Sequence, residues 1–392
     1  MQGLFHWEVK RHHTEFRYGV TSQVLPRPRS YLMVLGGGNY WRAPLVRLAG
    51  ISGRLARDIS VKMKIVRLLE ILLLLPFASG LLNGSGSTKV YVSNSLGDDI
   101  TVIDLDTQKV TADIKVGRRV HGVCAPADGR TLFTTVESEK NLKVIDTATN
   151  QVVATIPLTG RPNQCASTPD GHYVAVPIRD ANSVDIVDLE QKKVVKVLPV
   201  AIPHNSYDAD NNQQIFVSSM GDHEIDLIDL ASMSFVKKIP VGGIPRPYAV
   251  SKDGKTLYSS LTDLHGFVIA SIPEGKITAR VELPPAPPAA CPLEPRTPTH
   301  GIALSPDERE LWVTSLADSG VYVYDVAGKK LSSEIPTGRC PNWITFSPDG
   351  RFVAVSNSDS DDCSIIDTRT RREVARLKVG KGPKRLLALQ IP

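Results

Sequence analysis

Short apolar runs alternate with polar positions through most of the chain, with the period of two that marks half-buried strands. The runs form a repeating set. ITVIDLDTQKV (100–110), LKVIDTATNQV (142–152), VDIVDLEQKKV (184–194), IDLIDLASMSF (225–235), FVIASIPEGKI (267–277), VYVYDVAGKKL (321–331) and SIIDTRTRREV (364–374) align on Asp104, Asp146, Asp188, Asp229, Ser271, Asp325 and Asp367. Successive anchors stand 42, 42, 41, 42, 54 and 42 residues apart. Each copy divides into four short strands. Ala127-Asp128-Gly129, Pro169-Asp170-Gly171, Lys252-Asp253-Gly254 and Pro348-Asp349-Gly350 supply tight turns in which glycine takes positive φ. The anchor aspartates precede the next hairpin, where a carboxylate accepts backbone N–H bonds.

Seven copies of a four-strand unit near 42 residues predict an all-β, seven-bladed β-propeller over residues 89–392. The first copy begins at Lys89 with the second strand of a blade, and the chain finishes with an innermost-type strand, Arg385–Ile391. The C-terminal strand must therefore complete the first blade, which removes the open edges of an unclosed array.

The name-giving strand of one known repeat appears as Tyr91-Val92-Ser93-Asn94, Trp312-Val313-Thr314-Ser315 and Val355-Ser356-Asn357. On these residues and the spacing, 89–392 resembles the YVTN-repeat β-propeller family. The resemblance implies the fold and leaves activity open, since related propellers include lactonases, antibiotic-opening lyases, amine dehydrogenase subunits and nitrous oxide reductase. The last uses many more histidines and a copper domain that this chain lacks.

Charge separates the N-terminal segment from the repeats. Residues 1–79 hold 12 Lys+Arg and 4 Asp+Glu, whereas the remainder holds 34 and 37. The repeats are thus mildly acidic and carry no basic aromatic stripe, which disfavours nucleic-acid binding. Residues 1–62 show neither repeat nor alternation and read as a disordered or non-native extension. At 63–80, Met63, Lys64 and Arg67 precede the apolar run Ile71–Phe77 and the small residues Ala78-Ser79-Gly80. That pattern is a signal peptide's, so the mature chain is expected in the periplasm or outside the cell, without a transmembrane helix. Residues 81–88 are a linker.

Strands within a blade are called a to d from the channel outward, and the face bearing the d–a and b–c connections is the top. The residues that open strand a are His121, Asn163, His204, Arg246, His300, Asn342 and Lys384, all polar. Two readings stand for them: a solvated rim, or a donor ring around the channel mouth that holds an anion. In the second, three histidines titrating near pH 6–7 give binding a pH dependence. His121, His204 and His300 fall on alternate blades, too far apart to converge on one metal ion. His223 and His265 also map to the top face, and His172 to the other. Asp98-Asp99 and Asp359, Asp361 and Asp362 form acidic top loops, read as solvated ahead of a weak calcium site. The 54-residue interval holds a Pro-rich insertion, Leu283–His300, as a lid or a passive loop over the mouth.

Five cysteines exclude complete intrachain pairing. Cys124 and Cys165 are expected to pack as small apolar residues, and one pair among Cys291, Cys340 and Cys363 to oxidise on export. No C-x-x-C motif supports covalent haem or a thiolate zinc site, and the sequence requires no cofactor. The expectation is an exported, non-catalytic binding or scaffold propeller that takes a small anionic ligand or a protein partner on its top face. The alternative is a lyase- or lactonase-like enzyme at the channel mouth, with or without a metal, with His300 or His204 as general base and Arg246 stabilising an anion.

Overall fold

The computed structural model describes residues 86–288, 291–294 and 296–392. Among the described residues, twenty-eight strands form seven four-stranded sheets, the seven-bladed propeller that the repeat predicts. The innermost strands of blades 1 to 7 are Pro383–Gln390, Val120–Cys124, Ala166–Ser167, Pro203–Asp208, Pro245–Val250, Thr299–Leu304 and Pro341–Phe346. The N-terminal extension (1–62), the signal-type segment (63–80) and linker residues 81–85 lie outside the described residues. Among the described residues, no helix is long and apolar enough to cross a membrane.

Closure follows from the two ends of the chain. Pro383–Gln390 lies antiparallel to Thr88–Asn94, pairing Val90 with Ala388, Tyr91 with Leu387 and Val92 with Leu386. Each blade then buries apolar side chains against the next. Val90, Val92, Ile103 and Leu386 of blade 1 pack with Trp343, Phe352, Cys363 and Ile365 of blade 7. Fully burying such side chains contributes about 1.5–3 kcal/mol each.

The anchor residues hold the hairpins between strands c and d. Asp104, Asp146, Asp188, Asp229, Asp325 and Asp367 each accept the N–H three residues on, from Thr107, Thr149, Gln191, Ser232, Gly328 and Thr370, at 2.7–2.9 Å. Ser271 stands in with its hydroxyl, which accepts Glu274 N–H at 3.3 Å. These carboxylates are structural, as their turn position predicts.

Candidate functional site

A β-bulge at the head of strand a creates the channel mouth. The register slips between Val120 and Val123, Pro203 and Ser206, Pro245 and Tyr248, Thr299 and Ile302, and Pro341 and Trp343. A bulge leaves a backbone group unpaired and re-aims the local side chains. In four blades a hydroxyl from strand b takes the freed N–H: Thr135 bonds Gly122, Ser218 bonds Asn205, Ser356 bonds Trp343 and Ser93 bonds Arg385, at 2.7–3.2 Å. This gives the serine or threonine of the repeated strand its physical purpose.

The seven aligned residues lie inside the channel instead of on a solvated rim. His121, Asn163, His204, His300, Asn342 and Lys384 are buried. The Arg246 side chain keeps only 12% of its exposure. Their spacing also differs from expectation. His204 and His300 stand edge to face with ring centroids 6.3 Å apart although they belong to alternate blades. Even so, among the described residues no three His, Cys, Asp or Glu side chains gather as a metal site.

The centre of the mouth is filled by Glu294, which comes from the Pro-rich insertion. Its Oε1 lies 2.5 Å from Lys384 Nζ of blade 1, and its Oε2 lies 3.4 Å from Arg246 Nη1 of blade 5. His300 Nε2 stands 3.9 Å from Oε1. Arg246 Nε also donates to Thr262 Oγ1 at 2.8 Å. Arg246 is therefore part of a buried ion-pair network, not the free surface cation that its sequence position implies. The insertion is stapled beside Glu294: Cys291 is bonded to Cys340, which directly precedes the inner strand of blade 7. One pair among the three upper cysteines was expected, and this is it. Cys363 is free and buried.

Burial would raise the Glu294 carboxyl, but Lys384 and Arg246 outweigh it and hold the group well below the usual carboxylate range. Burial also lowers the imidazoles. His121 is pushed down to about 4, although its Nδ1 pairs with Glu137. His204 and His300 lie well below their ordinary value for the same reason, with nearby Arg246 and Arg385 adding to the effect. All three are neutral across the range where titration was expected, so the predicted pH dependence through 6–7 does not arise from them.

Beside Glu294 an open recess of about 240 Å³ remains. Arg119, Arg161, Arg179, Arg246 and Lys384 line it against two carboxylates, Glu137 and Glu294, together with His121, Asn163 and His204. His300 and Asn342 lie outside this lining. A general-base role for His300 therefore lacks direct access from the recess. The opposite end of the channel holds a larger cavity of about 560 Å³, mostly apolar, with Trp343 and Tyr207 among its walls.

One sequence expectation is corrected by a contact between distant residues. Cys124 and Cys165 form a disulfide across the inner strands of blades 2 and 3 instead of packing as free apolar residues. They occupy like positions 41 residues apart, so neighbouring blades bring them together. The top acidic loops are committed to cations of their own blades: Asp98 to Lys115 at 2.7 Å, Asp359 to Arg339 at 3.1 Å and Asp362 to Lys378 at 3.4 Å. Asp361 accepts Gly382 N–H at 2.8 Å. Glu294 and Arg385 were missed altogether. Glu294 lies in an unrepeated insertion, and Arg385 lies one residue beyond the aligned column.

Fold and mouth together define a seven-bladed propeller with a charged recess at one end of its channel. The chain belongs to the cytochrome D1 heme domain family, whose pattern matches residues 170–386. The YVTN resemblance agrees with this at the level of the propeller ring. Among curated proteins, Antigen Lp49 of Leptospira interrogans is 31% identical over 121 residues, 29% of this chain. The match spans about a quarter (24%) of that relative's length. Three solved structures share the fold. Hydrazine synthase of Kuenenia stuttgartiensis aligns at 20% identity and TM-score 0.57, covering 67% of this chain and 87% of that one. A dihydro-heme d1 dehydrogenase in complex with DHE aligns at 19% and 0.57, covering 74% and 63%. A functionally unknown protein from Desulfotomaculum acetoxidans aligns at 14% and 0.65, covering 78% and 99%.

Proposed function

We propose that this cytochrome D1-type propeller is a non-catalytic binding protein that takes a small polyanion, a di- or tricarboxylate, in the recess at its channel mouth. The observation that carries the proposal is the charge of that recess: five cations face two carboxylates, and both carboxylates are already paired inside the protein. Charge-assisted hydrogen bonds from Arg and Lys in a partly dehydrated cleft favour a multiply charged ligand. His121 and Asn163 add neutral polar contacts. A YVTN-type repeat remains our reading of the blade sequence. We place the protein in the periplasm or outside the cell, a reading supported by two disulfides, which persist in oxidising compartments.

The family name raises the question of a haem group, and the mouth as built does not fit one. Sites for ligands smaller than a haem take roughly 300–1,000 Å³, more than the recess of about 240 Å³. The nitrogens of an axial type, His121 Nε2, His204 Nδ1 and His300 Nε2, are enclosed. Glu294 stands where a macrocycle would need space.

Calorimetric titration with citrate tests the proposal. The native chain should bind it, and the double variant Arg161→Ala/Arg179→Ala, which leaves the buried Glu294 network intact, should bind about tenfold or more weakly, as expected for lost charged hydrogen bonds. Absence of citrate binding by the native chain would favour the scaffold reading.

A further inference from the structure

Below the mouth lies a further cation, one that makes no ion pair with Glu294. Arg385 follows Lys384 on the strand that closes blade 1 and is fully buried. Its guanidinium sits over the Trp343 ring of blade 7, with Cζ 4.1 Å from the ring centroid. Nη1 reaches Asn342 Oδ1 at 3.5 Å, the outer limit of a hydrogen bond. Nε and Nη2 have no partner among the described residues. Asn342 Nδ2, beside them, also lacks one among the described residues.

The pattern of unmet donors is specific. Nε and Nη2 form one edge of a guanidinium and point two parallel N–H bonds outward, the fork that grips two oxygens of one planar anion. Trp343 lies against one face of the group, so the unmet hydrogen-bonding capacity is concentrated on this enclosed edge. Asn342 is oriented by its Oδ1 contact with Nη1, so its amide nitrogen adds a further donor. His300 is excluded from this donor set: its Nδ1 donates to Asn342 O at 2.7 Å, so the neutral ring presents an acceptor at Nε2. A buried unpaired cation costs several kcal/mol, and each unmet buried donor adds to that cost. The acid that could serve Arg385, Glu294, is committed to Lys384 and Arg246.

We infer that the Nε–Nη2 edge of Arg385, with Asn342 Nδ2, is a binding site for a small planar oxyanion in the core of the channel. Its ligand class is a one-carbon or similarly compact carboxylate, or an inorganic anion with the same two-oxygen edge. The site lies apart from the recess proposed for polycarboxylates, which Arg385 does not line, and does not depend on that reading.

The experiment uses the full chain exchanged into sodium fluoride, with sodium formate titrated at constant ionic strength. Native protein should gain thermal stability in a saturable way. Arg385→Met, which removes the cation but keeps an unbranched chain over Trp343, should lose the response and be no less stable than native protein without formate. Arg385→Lys, a charge without a fork, should respond about tenfold more weakly. A crystal of the native protein grown with formate should show a planar ligand on the Nε–Nη2 edge, an arm that stands even if a variant fails to fold. An unresponsive native chain, an undiminished response in Arg385→Met, or water alone on that edge in the crystal would overturn the inference. The Arg161→Ala/Arg179→Ala variant should keep the native formate response, so failure at the outer recess and failure here are separable.

Discussion

His121 and Glu294 show how the same burial acts on opposite charges. The His121 ring is neutral because desolvation outweighs its bond to Glu137, and its pKa in the folded state falls to about 4. In the unfolded chain it returns to about 6.5. Between those values the unfolded state binds the proton and the folded state does not. Stability therefore rises with pH from about 4 to 6.5 and then levels. His204 and His300, lowered in the same direction, steepen the rise. Denaturant unfolding at pH 4.5 and pH 7 should show the difference, and His121→Asn should reduce it by up to about 3 kcal/mol. An unchanged pH difference in the variant would mean that His121 is not buried as described. Glu294 acts in the same sense at lower pH. Its carboxyl is held below the ordinary range, so its contribution is present above about pH 4.5 and lost as acid protonates it.

At the scale of elements, the closing strand and the insertion carry the site. Pro383–Gln390 supplies Lys384 and Arg385 and also completes blade 1, with Leu386 and Ala388 in the core between blades 1 and 7. Removing residues 385–392 should expose the edge of Thr88–Asn94 and lower the melting temperature of the whole ring, measured by circular dichroism. Retention of the native melting temperature would contradict closure through this strand. The closure was legible in the sequence because its residues belong to a repeat, and each copy can be checked against six others. The ring from His121 to Lys384 was legible for the same reason. What the ring does was not. Glu294 sits in a one-off insertion with no copy to align against, and its partners lie 48 and 90 residues away. Arg385 was invisible for a related reason: its burial depends on Trp343 and Asn342 of the adjacent blade. Cys124 and Cys165 offered a signal that went unused. Like positions in consecutive inner strands stand side by side in any propeller.

At the largest scale, the described residues form a closed ring whose blades feed polar residues into one channel. The inner strands, most of them bulged at the head, aim those residues inward, and the chain balances the resulting positive charge with a carboxylate carried on a disulfide-stapled loop. In the function proposed here the mouth is an anion seat whose central place Glu294 fills, with the remaining cations facing a ligand beside it. Membership of the cytochrome D1 heme domain family accounts for the ring, while the insertion gives this mouth its own chemistry. The most direct test of that account is chemical rescue of Glu294→Ala, followed by thermal unfolding. Truncation leaves Lys384 and Arg246 buried without their acid, a loss of about 3–5 kcal/mol. Sodium acetate, small enough to enter the vacated place, should restore much of the lost stability in a saturable manner, and sodium fluoride at equal ionic strength should not. If acetate and fluoride act alike, or if Glu294→Ala is as stable as the native chain, the mouth of the channel is not an anion seat.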